Sequence, residues 1–228
     1  MGAALAVGTQ PVESIRQRPD IEMLLGVGIA QDSAARQTIV VEGEPRSHGF
    51  RVLSGAVRLF KDLADGRRQV IEFLVAGECF GLVGAAHYAY GVEAIVASKL
   101  ARYPCAKLDA AARANPLLAE RLLDLARTDL ERAHAQMLLL GRKTAEEKIA
   151  SFLLALARRQ GDSAQPARVL KLAMSRQDMG DYLGLTIETV SRTMTRLRQD
   201  GLIALPSPQQ VVLQQLSTLE TLAEGGAG

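Results

Sequence analysis

The periodicity of the chain changes once, at Lys107, and that break constrains its architecture more than any other feature. From Thr38 to Lys107 apolar residues come in short or alternating runs punctuated by glycine: TIVVEGEP, FRVLSGAVRLFKD, RRQVIEFLVAGECFGL, GVEAIVAS and KLARYPCAKL. Each reads as a strand followed by a turn, because a period of two puts alternate side chains on one face of a pleated sheet. Asp65-Gly66 between two such runs is a hairpin signal, and Gly55 and Gly77 mark further turns or bulges. Strands at such short, regular spacing predict a small β-roll or barrel. Ahead of them residues 1–37 are mixed, with a helix expected near Asp20–Val27. Beyond Lys107 the texture is helical. Strands first and helices after make an α+β chain.

Asn115-Pro116 is a helix opening, a cap followed by proline in the first turn. Leu118, Leu122, Leu125, Thr128 or Asp129, Arg132, Met137 and Leu140 then recur at spacings of three and four. The stripe is long and narrow, as a partner helix requires, and predicts a dimer seam of Leu118, Leu122, Leu125 and Leu140. Packing onto the β-roll of the same chain is the other way to cover it. Gly141 should end or bend this helix, residues 144–159 form a second one with Ile149, Phe152, Leu153 and Leu156 on one face, and GDSAQPA (161–167) is a loop. The expected division is therefore a β-roll over 1–110, a dimerisation helix over 111–140 and a C-terminal module over 141–228.

Within that module, Arg176–Arg198 reads RQDMGDYLGLTIETVSRTMTRLR. Met179, Leu183, Leu185, Val190 and Leu197 give two short helices a shared apolar core. Gly180 allows a close crossing, Gly184 suits a left-handed turn and Thr186 can cap the second helix. This is a helix-turn-helix, with its motif at about 176–195, and such a motif lays its second helix in a DNA major groove. On that helix Glu188, Ser191 and Arg192 share one face, the residue types that can bond base edges. A plain Glu188–Arg192 surface ion pair is the alternative. Arg196 and Arg198 continue toward positions where phosphate contact is possible. After Gly201, LIALPSPQQVVLQQL reads as strand, turn, strand: a wing.

Charge agrees with this placement. The net charge is +2, yet residues 1–140 hold sixteen basic and sixteen acidic side chains, whereas 141–201 hold eleven against seven. The positive excess sits where a polyanion would bind. No apolar run reaches the roughly 18 residues of a membrane span. The start MGAALAVGTQPVES lacks both a basic segment before its apolar stretch and a Ser or Thr at position 6, so neither a secretory signal nor myristoylation is expected. Two cysteines without a CxxC point to a reducing cytoplasm.

With SRQDMGDYLGLTIETVSR, the upstream KTAEEKIASFLLALARR and the GECFG turn, residues 20–220 resemble the CRP/FNR superfamily of bacterial transcription regulators. The resemblance implies a cyclic-nucleotide-binding-type β-roll, a long dimer helix and a winged helix-turn-helix. It implies that Glu188, Ser191 and Arg192 contact bases, matching the E-x-x-S-R of the FNR and FixK branch, and that Arg176, Gln177, Thr186 and Thr189 touch phosphates. Ile187 stands where the cyclic-AMP receptor branch has arginine, so the implied target is the palindrome TTGAT-N4-ATCAA in double-stranded DNA. The departures matter as much. There is no cysteine before Cys79 and Ala101 stands near the place of the β-roll ligand, so a four-thiolate cluster within the chain is impossible. Gly77-Glu78 is present, but HYAYGVEA lacks the Arg-Ser pair that holds a cyclic nucleotide phosphate. What remains resembles FixK-type regulators, which lack a built-in cofactor and activate genes of low-oxygen respiration. A ligand- or redox-gated regulator or repressor of the same superfamily is the alternative.

Other candidates carry less. Cys79 and His87 lack further ligands at metal spacing, His48 and His134 have no partner pattern, and three scattered histidines cannot furnish a cupin-like enzyme, so no metal and no catalysis are expected. Cys105 after Tyr103-Pro104 is a candidate redox-sensitive thiol. The tip Asp65-Gly66-Arg67-Arg68 corresponds, in the family, to a part of the roll that can face RNA polymerase.

Overall fold

The alternating runs of the N-terminal half build two four-stranded antiparallel sheets. Their strands are β1 (Ile29–Ser33), β2 (Thr38–Val40), β3 (His48–Ser54), β4 (Ala56–Asp62), β5 (Arg68–Val75), β6 (Cys79–Phe80), β7 (Gly91–Ala94) and β8 (Ser98–Pro104). One sheet has the order β1-β8-β3-β6 and the other β2-β7-β4-β5. Phe50, Val52, Phe80 and Leu100 from the first meet Val40, Val57, Leu59, Leu74 and Val92 from the second in one buried core. Stacking of Phe50 on Phe80, with centroids 4.8 Å apart, closes its end. The β4–β5 hairpin turns at Asp65-Gly66, as expected, with the Asp65 carboxylate accepting from the Arg67 N–H at 3.1 Å. The computed structural model describes residue 26, residues 28–161 and residues 168–226; the helix expected near Asp20–Val27 and most of the 161–167 loop lie outside them.

The strand expected over KLARYPCAKL stops at Pro104, and Cys105 opens a helix. Proline fixes its own φ and donates nothing to a ladder, so it serves as the point of exit. The helices are α1 (Cys105–Ala114), α2 (Pro116–Arg142), α3 (Ala145–Gln160), α4 (Arg176–Leu183), α5 (Ile187–Gln199) and α6 (Leu216–Ala223). The Asn115 Oδ1 accepts from the N–H groups of Leu117 and Leu118 at 3.1 and 3.4 Å, the cap its sequence promised. α2 runs through Gly141 and ends at Arg142.

The face of α2 differs from expectation. Leu118 is fully buried with Leu82, Ala101, Tyr103 and Leu108 of its own chain, and Leu122 and Leu125 lean on the same cluster. Leu118 is therefore taken up by the β-roll of its own chain and has no surface left for a seam between copies, whereas Leu122 and Leu125 are partly covered by the roll and Leu140 stays exposed. Among the apolar side chains that this helix leaves in solvent, Leu123, Leu130 and Met137 recur seven residues apart and are 50%, 57% and 62% exposed. Period alone could not separate the two stripes, because a long helix with two apolar faces satisfies both.

The C-terminal module is a helical core with a small sheet. α3 begins with a reciprocal capping box between Thr144 and Glu147. Its inner face, Ile149, Leu153 and Leu156, packs on Met179, Leu183, Val190 and Leu197. The expected wing is β10 (Ile203–Ser207) and β11 (Gln210–Leu213), joined by a third strand, β9 (Val169–Lys171), in the order β10-β11-β9. Strands β1 and β9 and helix α6 were not anticipated; β9 is three residues long, too short to show a period. The core also takes in Val70 and Phe73 of β5 and Leu139 of α2, so apolar packing crosses the divisions expected at 110 and 140.

Candidate nucleic-acid interface

Two capped helices and a tight turn present the outer face of α5. Ser175 and Asp178 form a capping box at the start of α4: Ser175 Oγ accepts from the Asp178 N–H at 3.1 Å, and Asp178 Oδ2 accepts from the Ser175 N–H at 2.8 Å. Gly184 ends α4 at φ 63° in the left-handed region that favours glycine. A Cβ on Gly180 would lie 2.6 Å from the Leu185 carbonyl oxygen, so the two helices cross at a distance only glycine permits. Thr186 caps α5 by accepting from the Thr189 N–H at 3.2 Å. Val190, Met194 and Leu197 point into the core. Glu188, Ser191 and Arg192 are left on the exposed face, brought together as their i, i+3, i+4 spacing requires.

The electrostatics of that face bear on its use. Among the described residues no ion pair joins Glu188 to Arg192; Arg192 Nη2 reaches only the Thr189 hydroxyl, at 3.5 Å. A hydrogen bond to its own backbone N–H, helped by the Thr186 hydroxyl, holds the Glu188 carboxyl below the usual range. It is an ionised acceptor beside an available guanidinium. Arg196 is engaged otherwise, pairing with Glu146 of α3 at 2.6 Å. At the start of α4, Gln177 is exposed and Arg176 is half-buried, its Nη1 3.3 Å from the Met179 sulfur; burial pulls its pKa down. Thr186 and Thr189 lie at the start of α5, where the unpaired N–H groups of a helix favour anions.

Several residues that couple this interface to the rest of the chain left no trace in the sequence pattern. Arg58 of β4 pairs with Asp178, and Arg159 of α3 pairs with Glu72 of β5 at 3.1 Å and with Glu78. Gln69 and Gln136 donate to carbonyls of α4. Their partners are dozens of residues away, beyond any local periodicity.

Glu78 of the Gly-Glu turn is fully engaged: Oε1 accepts from Arg132 Nη2 at 3.0 Å, while Oε2 takes the Val75 N–H at 2.9 Å and Arg159. The segment His87–Ala94 supplies no arginine, and its Tyr88 hydroxyl donates to the His48 carbonyl at 2.6 Å. These residues do not fit a nucleotide phosphate. The Cys105 thiol is buried, and desolvation pushes its pKa up against the opposing pull of Arg46, whose Nη1 lies 3.1 Å from the sulfur; burial outweighs the guanidinium, which disfavours a reactive thiolate. Among the described residues no group of three or more His, Cys, Asp or Glu could hold a metal.

A helix-turn-helix with a polar outer face, flanked by a wing and carried behind a double-sheet roll, defines a DNA-binding regulator. Family models agree: that of the Crp-like helix-turn-helix domain matches residues 147–222, and that of the cyclic nucleotide-binding domain matches residues 31–115. The chain is 42% identical over 213 residues to the nitrogen fixation regulation protein FixK of Azorhizobium caulinodans, covering 86% of each. It is 36% identical to the transcriptional activator protein FnrL of Cereibacter sphaeroides, covering 84% of this chain and 78% of that one. The solved structure of FixK2 from Bradyrhizobium japonicum aligns with a TM-score of 0.82 at 36% identity, covering 89% of this chain and 98% of that one. The chain belongs to the CRP/FNR family of transcription regulators and, within it, to the FixK type. These relatives are regulators, not enzymes.

Proposed function

We propose that the chain works as a homodimer that reads palindromic TTGAT-N4-ATCAA sites and, with RNA polymerase, activates genes of low-oxygen respiration. The observation that carries this reading is the state of Arg192: exposed on α5, beside the ionised Glu188, and not closed onto it. Arginine offers guanine O6 and N7 a bidentate fork, and a carboxylate accepts from the exocyclic amine of cytosine. Ser191 lies between them toward a neighbouring base. Arg176, Gln177, Thr186 and Thr189 hold the backbone, from the starts of α4 and α5. Duplex DNA with two-fold half-sites calls for a two-fold protein. The heptad of Leu123, Leu130 and Met137, with Leu140, supplies its seam.

The hairpin tip with Arg67 at its crest is the surface offered to RNA polymerase. The place of work is the cytoplasm, where the bacterial chromosome is; no described helix is long and apolar enough to cross a membrane. Mapping of bound sites across the genome, with transcription measured from the same promoters with and without oxygen, tests the reading. Enrichment of the palindrome at promoters induced without oxygen is expected. Enrichment of an unrelated sequence, or occupancy without any change in transcription, counts against it.

A further inference from the structure

The first helix of the DNA-reading pair is gripped by the β-roll at both ends. At its N-terminus the Asp178 carboxylate divides its work. Oδ2 caps α4, accepting from the N–H and the hydroxyl of Ser175 at 2.8 Å each, and Oδ1 meets Arg58 Nη1 of β4. Arg58 is itself fixed from behind. Its Nη2 donates to Glu93 Oε1 at 2.7 Å, and Glu93 Oε2 accepts from Arg68 Nη1 at 3.2 Å. Arg68 in turn holds Asp62 at 2.7 and 3.0 Å and lies 3.7 Å over the Phe60 ring.

At the other end of α4 the last carbonyls have no partner within the helix. Gln69 Nε2 of β5 donates to the Asp181 carbonyl at 2.7 Å, and Gln136 Nε2 of α2 donates to the Tyr182 carbonyl at 2.7 Å. Between these two grips, the Tyr182 ring packs 5.3 Å from Phe73 of β5. The tight Gly180–Leu185 crossing makes α4 and α5 a single body. The bearing of α4 is therefore the bearing of the recognition helix.

We propose that Arg58 is a positioning residue for DNA binding: through Asp178 it sets the angle at which each recognition helix is presented, and so the half-site spacing that a dimer accepts. This rests on the dimeric DNA-reading function above. The role differs from base reading. Two recognition helices must enter grooves about 34 Å apart on one face of the duplex. A module free to tilt still reads one half-site but populates the two-site geometry only part of the time, and apparent affinity falls by that fraction. Arg58 is 16% exposed and bonded to two carboxylates, so its effect on DNA passes through α4.

The test uses the full chain and a palindrome that the wild-type protein itself selects from random duplexes. Affinities of wild type, Arg58→Gln, Arg58→Lys and Gln69→Ala are measured on that palindrome, on versions with one base pair more or less between half-sites, and on a single half-site. Arg58→Gln should bind the palindrome roughly tenfold more weakly, stay within about twofold on the half-site, and lose its discrimination between spacers. Arg58→Lys should restore most of the loss, and Gln69→Ala should move the same way by less. Unchanged spacer discrimination in Arg58→Gln overturns the proposal. Equal losses on palindrome and half-site overturn it too, because they mark general damage to the module. Selection of a palindrome unlike TTGAT-N4-ATCAA would defeat the base-reading assignment alone; selection of no duplex at all defeats both.

Discussion

Arg159 of α3 and Glu78 of the turn before β6, 81 residues apart in sequence, form an ion pair across the junction between the roll and the DNA-binding module. Arg159 also holds Glu72 at 3.1 Å, and Glu78 also holds Arg132 of α2 at 3.0 Å, so three parts of the chain share one network. All three of Arg159, Glu72 and Glu78 are about four-fifths buried or more. Removing one partner leaves carboxylates facing a poorly solvated site. Arg159→Met should destabilise the fold by about 3–5 kcal/mol. Urea unfolding checks it, and a loss under about 1 kcal/mol would assign the pair the small value of a surface salt bridge.

The same network gives a pH signature. Burial raises the Glu72 carboxyl above its usual range, against the opposing pull of Arg159 and Arg132. A carboxyl with a higher pKa folded than unfolded binds its proton more tightly in the fold. Its ionised form therefore opposes folding at neutral pH, and that penalty fades as pH falls through the folded pKa toward the unfolded one. Glu72→Gln cannot titrate. Relative to this variant, the wild type should gain stability as pH is lowered from neutrality toward the ordinary carboxylate range, read as the difference in Tm at each pH. A gap moving the other way would mean that the arginines, and not burial, dominate the site.

Much of this molecule was legible because its signals are local. Alternation exposed β3, β4 and β5; the Asp65-Gly66 turn and the Asn115 and Thr186 caps lie within three or four residues of what they bond. The helix-turn-helix was legible for the same reason, since Gly180, Gly184 and the apolar set from Met179 to Leu197 fall inside one short window. What stayed hidden is long-range. Arg58 and Asp178 are 120 residues apart, and nothing in either neighbourhood announces the other. The α2 stripe shows a second limit: Leu118 and Leu130 both satisfy helical spacing, and only the position of the roll decides which is covered.

That division of α2 is testable. Leu130→Asp should give a monomer by sedimentation with a fold nearly as stable as a single wild-type chain, because Leu130 is 57% exposed within the chain and, on the proposed seam, would be covered only by a partner. Leu118→Ala should do the reverse. It empties a fully buried site under the roll, costs about 2–5 kcal/mol, and leaves the dimer intact until the fold itself fails. A monomeric Leu118→Ala that is as stable as wild type would return the seam to the first stripe.

Gly180 sets the crossing of α4 and α5. A methyl group there meets the Leu185 carbonyl oxygen at 2.6 Å, a backbone atom that cannot swing aside like the end of a side chain. Gly180→Ala should therefore cost about 1–3 kcal/mol and move the two helices apart. If the starts of α4 and α5 hold the DNA backbone together, as proposed, DNA binding should weaken more than the stability loss explains. Circular dichroism melting beside DNA titration separates the two effects; normal binding by a stable variant would show that the crossing has slack.

Base reading rests on Arg192, and its signature is selectivity. If its fork holds guanine in each half-site, Arg192→Ala should cost about 1–3 kcal/mol per half-site on the matched palindrome and little on a duplex already changed at that base pair. Preference at the position is then relaxed, while preference elsewhere in the site persists. Arg176→Gln is the contrasting case. Arg176 sits at the start of α4, where it would meet a phosphate, so its loss should weaken matched and mismatched duplexes alike and lower the salt slope by about one ion per half-site. Titrations of both duplexes at two salt concentrations distinguish the two patterns. If Arg192→Ala weakens every duplex equally, Arg192 clamps the backbone; if it changes nothing, the guanidinium that α5 exposes is a solvated surface charge. Because Glu188 is ionised and shares the exposed face of Arg192, Glu188→Gln should relax preference at an adjacent base pair, and a change confined to the Arg192 position would make the two residues one reading unit.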